Sequence, residues 1–238
     1  MLQELEADVT DPQRRVEQVR PRREGFHVHG VSILAAVKAR IGAAATALAV
    51  VVVLGIWSPE PLMRGRGDGS ALPELLSLFL RPTEPYVLIP LVALAVAVSA
   101  LRRDRAAVLL CLAGPTVPLA LNTWLLKPLF DHHIGSYLAY PSGHTVGLVS
   151  VLTVLVLLAR PGTARAVTVS AAAVVTVAAG FGLVGSGYHY PLDVVGGTCF
   201  AVACVLTLSL ATHPARAPSA GSPRAGTSSG SPPAASPR

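Results

Sequence analysis

The chain has 238 residues, of which 52% are apolar and only 13% charged, against roughly a quarter in soluble domains, and its net charge is +6. This composition excludes an ordinary soluble domain. It also argues against a nucleic-acid partner, because the arginines stand at the ends of apolar runs and not in one basic stripe interleaved with aromatics. Cys111, Cys199 and Cys204 all fall inside apolar segments, where they read as small buried hydrophobes without chemistry of their own.

In chain order, residues 1–40 are polar and mixed in charge and are expected to form a disordered or loosely helical cytoplasmic tail. The first apolar run, 41–57, stands too far from the start for a cleavable signal and reads as an uncleaved anchor. Leu72, Leu75, Leu76, Leu78, Phe79 and Leu80 mark a segment at 72–80 that is too short to span and is expected to lie along the interface. Five further runs follow at 86–101, 106–126, 144–159, 166–185 and 193–211, each able to cross about 30 Å of hydrocarbon with modest tilt. The runs are continuous and not alternating, so helices are expected and a barrel is excluded. The expected fold is an all-α polytopic membrane bundle of six transmembrane helices over 41–211, followed by a disordered cytoplasmic tail at 212–238 rich in Pro, Ser, Ala and Gly.

Basic residues orient this bundle. Lys38 and Arg40 precede the first span, Arg102, Arg103 and Arg105 separate the second from the third, and Arg160 and Arg165 separate the fourth from the fifth. These places share the cytoplasmic side, and with six spans both termini fall there. The expectation is a multi-pass protein of the plasma membrane whose segments 58–85, 127–143 and 186–192 face outside.

Beyond Asp104 the chain has two carboxylates, Asp131 and Asp193, and both lie in or beside those outer segments. Lys127 and His132–His133 precede Pro141-Ser142-Gly143-His144, and Tyr188-His189-Tyr190-Pro191-Leu192-Asp193 opens the last span. Ionisable groups at a bilayer boundary are costly and are functional candidates by default. Ser142 is a good N-cap for the fourth span, whose free N–H groups, approached closely through Gly143, make a phosphate cradle. Lys127 can add a point charge, and Asp193, four residues from His189, can fix the imidazole tautomer and free the other nitrogen for attack. His144 can supply the leaving group's proton. Asp131, His132 and His133 read as interfacial loop residues, with one of the two histidines a candidate for part of the phosphate binding; Tyr188 and Tyr190 read as belt aromatics.

At these residues the chain resembles the type 2 phosphatidic acid phosphatase superfamily, whose helical core is related to that of the vanadium haloperoxidases. Its second motif, Pro-Ser-Gly-His, stands unaltered at 141–144. The His-x-x-x-Asp ending of its third stands at His189 and Asp193, followed by Gly196 and Gly197. The resemblance implies a lipid phosphate or isoprenoid pyrophosphate substrate and no cofactor or metal. It implies His189 as a nucleophile forming a phosphohistidine, Asp193 as its orienting partner, His144 as general acid, and Lys127, Ser142 and Gly143 holding the phosphate. The arginines of the first and third motifs are replaced: counting from Lys127 gives Ile134 and Gly135, and counting back from His189 gives Gly182 and Leu183. Two charge-assisted donors, each worth roughly 1.5–3 kcal/mol, are therefore missing, and weakened phosphate binding is expected, with His132 or His133 a partial substitute. A second reading keeps the fold and drops catalysis, leaving a phospholipid-binding membrane protein. A third makes His132, His133, His144, His189 and Asp193 metal ligands.

Overall fold

The computed structural model describes residues 24–56, 73–134 and 136–212. The expected tails at 1–23 and 213–238, and most of the segment before the second span, lie outside the described residues. Helix α1 (Glu24–Ile56) includes residues well ahead of the expected residue 41, so the 24–40 part of the expected N-terminal tail belongs to the helix; its apolar part begins at Ala35. Helices α2 (Pro73–Leu80) and α3 (Pro85–Leu101) are joined by a 3-10 turn at Arg81–Thr83. Helix α4 (Arg105–Leu121) runs through a π turn (Asn122–Leu126) into the short α5 (Lys127–Phe130). A minimal antiparallel hairpin, β1 (His133–Ile134) against β2 (Tyr137–Leu138), leads to α6 (Gly143–Leu158), α7 (Thr163–Gly185) and α8 (Pro191–Thr212).

The six spans expected from hydropathy thus have six helical counterparts. Among the described residues, five apolar stretches are long enough to cross a membrane, and α6 is a shorter apolar helix. At 16 residues α6 is about 24 Å long, less than the hydrocarbon thickness of about 30 Å. It can be short because it is central: it contacts α3, α4, α7 and α8, and seven of its residues are buried. Helix α8 joins it to α1 and α4. Tight approaches fall at small residues, as membrane packing requires; a Cβ on Gly114 of α4 would collide with a Val154 methyl of α6. One buried cluster joins Val51, Leu126, Val146 and Phe200 near the site, and another joins Leu110, Cys111, Val154 and Val205 further along the bundle. The three cysteines are unpaired.

Helix α2 is the segment expected to lie along the interface, and the structure gives it a partner. It packs on the last turns of α7, where Gly182 and Gly185 open a slot: a Cβ there would come within 3.0 Å of Phe79 and 2.7 Å of Leu76. Shape at two glycines, which hydropathy does not register, decides that docking.

Candidate active site

Helix alternation puts Lys127, the loop 131–142, the start of α6 and the connection 186–190 at one end of the bundle, and Arg102, Arg103, Arg105, Arg160 and Arg165 at the other. At the first end Ser142 caps α6 as its sequence suggests: its Oγ accepts from the Thr145 N–H at 3.4 Å and lies 3.1 Å from the Thr145 hydroxyl. The first rung of the helix ladder runs from Val146 N–H to the Ser142 carbonyl, so the N–H groups of Gly143 and His144 precede the ladder. The turn is seated on α8. The Ser142 N–H donates to the Asp193 carbonyl at 3.0 Å, and a Cβ on Gly197 would stand 2.9 Å from the Ser142 carbonyl oxygen. Gly196 makes the matching space for the Tyr140 ring, whose hydroxyl donates to the Val51 carbonyl of α1 at 2.6 Å. Burial raises the Tyr140 phenol's pKa well above its ordinary value, so it remains a donor.

His189 lies just before α8 and is 5% exposed; its Nδ1 is 3.4 Å from Asp193 Oδ2. The same carboxylate oxygen accepts the Tyr190 N–H at 2.9 Å, an N3 acid reaching back to the N-cap as in a capping box. The imidazole therefore faces its carboxylate without a formed hydrogen bond, and Nδ1 has no bonded partner among the described residues. Such contacts tighten when a substrate is engaged. The His144 and His189 rings lie edge to face with centroids 6.0 Å apart.

The two histidines close one end of a cavity of about 930 Å³. Lys127, Gly143, Tyr137 and Tyr188 line the same end, and the Tyr137 hydroxyl donates to the Tyr188 carbonyl at 2.7 Å. From there the cavity runs between α3, α4 and α6. Pro85, Leu88, Val92 and Val96 mark its α3 wall at helical spacing, and 12 residues of helix cover about 18 Å. One end is polar and the rest is hydrocarbon-like.

Four of the seven residues proposed from sequence, Lys127, Gly143, His144 and His189, line this cavity. Ser142 and Asp193 are buried behind it, supporting backbone and imidazole. His132 does not line it; its ring lies 5.4 Å from that of Tyr140 and 6.5 Å from that of Phe130, because the left-handed Asp131 that ends α5 turns the chain away. Asp131 and His133 meet each other at the surface, 3.7 Å apart. The two positions where arginines were expected carry buried Ile134 and Leu183, and Lys127 is the one lysine or arginine side chain lining the cavity among the described residues. No group of three or more His, Cys, Asp or Glu among the described residues is arranged to hold a metal ion. Sequence reasoning missed Tyr137 and Tyr140 and read Tyr188 as a belt residue. It also missed Asn122, a polar residue buried within an apolar run and the one signal that intramembrane polarity could have supplied.

A family model described as the PAP2 superfamily matches residues 91–216, just over half of the chain. No curated protein and no solved structure matches it significantly.

Proposed function

The chain belongs to the PAP2 superfamily, which supports a phosphatase-type function in general, and from that premise we propose that it hydrolyses a lipid phosphate or isoprenoid (pyro)phosphate through a phosphohistidine. The observation that carries the lipid part is the cavity: a polar end holding two histidines and a lysine continues into an apolar groove along α3, matching a phosphoryl headgroup joined to a hydrocarbon chain.

In this reading His189 Nε2 attacks phosphorus in line, Asp193 keeping the proton on Nδ1. The P–N bond forms as the P–O bond to the lipid breaks, and the departing alkoxide, or lipid monophosphate when the substrate is a pyrophosphate, takes a proton from His144. Water, giving a proton back to His144, then releases phosphate and restores His189. Lys127 and the N–H groups of Gly143 and His144 stabilise the phosphoryl oxygens. The site faces outside the plasma membrane, following the arginines gathered at the opposite end of the bundle.

Burial of Ile134 and Leu183 at the arginine positions favours one competing reading, a phospholipid-binding member of the same fold without turnover. The test is phosphate release by purified protein in detergent from a panel of lipid phosphates with EDTA present. We expect release from the parent chain that survives EDTA and is lost by about 10³-fold or more in His189→Ala, as when a nucleophile is removed. No release from any lipid selects the binding reading, and release abolished by EDTA selects a metal hydrolase.

A further inference from the structure

Asn122 takes no part in the chemistry above, yet it is fully buried at the base of the site. Its Nδ2 donates to the Pro141 carbonyl at 3.3 Å, and a Cβ on Gly143 would lie 3.7 Å from the same nitrogen. The side chain therefore stands directly beneath the turn that carries the cradle. Its Oδ1 has no hydrogen-bond partner among the described residues. A buried amide with one group unpaired is costly in a membrane bundle, so a general packing role explains it poorly.

The π turn explains how Asn122 reaches this place. Residues five apart on an unbroken α-helix point about 140° away from each other, whereas a π turn, bonded i to i+5, brings them round towards one face. Here the Lys127 N–H donates to the Asn122 carbonyl, which is that bond. The following Pro128 lacks an N–H and its ring crowds the carbonyl four residues back, at Trp124, inside the π turn. As a result Asn122 and Lys127 point the same way and grip the loop at two carbonyls. Asn122 takes Pro141, and Lys127 Nζ takes Leu138 at 2.7 Å.

We infer that Asn122 is the positioning residue of the phosphate cradle: through the π turn it fixes the Pro141 carbonyl, and with it the Gly143 and His144 N–H groups, relative to Lys127 and His189. The inference rests on the phosphatase reading for its effect on turnover, and on anion binding alone for its geometry. Asn122→Leu keeps the side-chain size and removes the donor. Lipid-phosphate turnover and orthovanadate binding by calorimetry, alongside thermal unfolding, compare it with the parent in detergent. We expect a Tm within a few degrees of the parent, a vanadate Kd and a KM raised about tenfold or more, and a smaller change in kcat, as for a displaced binding group. A folded variant with unchanged Kd and KM overturns the inference, as does a lowered Tm with unchanged Kd. If Asn122→Leu does not fold, Asn122→Gln carries the same comparison, since it moves the amide by one methylene. A parent chain that binds vanadate but turns over no lipid defeats the phosphatase reading, and the Kd comparison then decides Asn122 alone. A parent that binds no vanadate overturns the assignment of Asn122.

Discussion

The two walls of the cavity are built differently. The wall to which the chemistry is assigned, the Pro141–His144 turn, is fixed from three directions: α8 through Asp193 and Gly197, the π turn through Asn122, and α1 through Tyr140. The opposite wall, α3, has Ser99 as its one buried residue and packs chiefly on α4. The proposed phosphoryl transfer needs groups placed to fractions of an ångström, and redundant contacts would supply that. The hydrocarbon chain of the proposed substrate would need only apolar surface, so a lightly held helix rich in small residues would suffice for its wall.

Three substitutions would break or sharpen this contrast. The largest effect is expected from Gly197→Ala on the fixed wall, where the added methyl has backbone against it at 2.9 Å and neither side can give way cheaply. Overpacking of this kind costs about 1–3 kcal/mol, so thermal unfolding in detergent should show a lower Tm together with reduced turnover; an unchanged Tm would mean that the turn is not seated as described. On the α3 wall, Ala93→Phe should fill the groove and leave the fixed wall intact. The expected result is a kcat/KM about tenfold lower for long-chain lipid phosphates, with a short-chain phosphate ester unaffected and the Tm held. Equal losses on both substrates would disconnect the groove from the hydrocarbon chain. The smallest effect belongs to Tyr140→Phe, which removes one hydrogen bond to a carbonyl still within its own helix. A loss of about 1 kcal/mol in stability, read by unfolding, is expected, and a much larger loss would make α1 a principal support of the site.

Legibility followed the range of the interaction. Helices α3, α4, α6, α7 and α8 lie close to their expected bounds because an apolar run long enough to cross a bilayer is a local property of the chain. Ser142 was legible as a cap for the same reason, since it acts on a residue three positions away. The extension of α1 back to Glu24 was not legible, because Gly25, Gly30, two histidines and the charged Lys38 and Arg40 interrupt the apolar signal there. The π turn was equally hidden. The prolines around it, Pro115, Pro118 and Pro128, are visible in the sequence, but not which carbonyl each would displace.

By itself, then, the sequence determined the membrane class, the six apolar runs, the family motifs and the meeting of His144, His189 and Lys127 at one end, because hydropathy and alternation along the chain decide which residues share an end. Only the tertiary structure decided which of those residues enter the cavity. It set His132 against Tyr140 and Phe130, docked α2 on the glycines of α7, seated the loop on Gly196 and Gly197, and brought Asn122 to Pro141 and Tyr140 to Val51 across 19 and 89 residues of chain. Contacts of that separation depend on helix rotation and on the close approach that small residues permit, and neither is written in any local pattern.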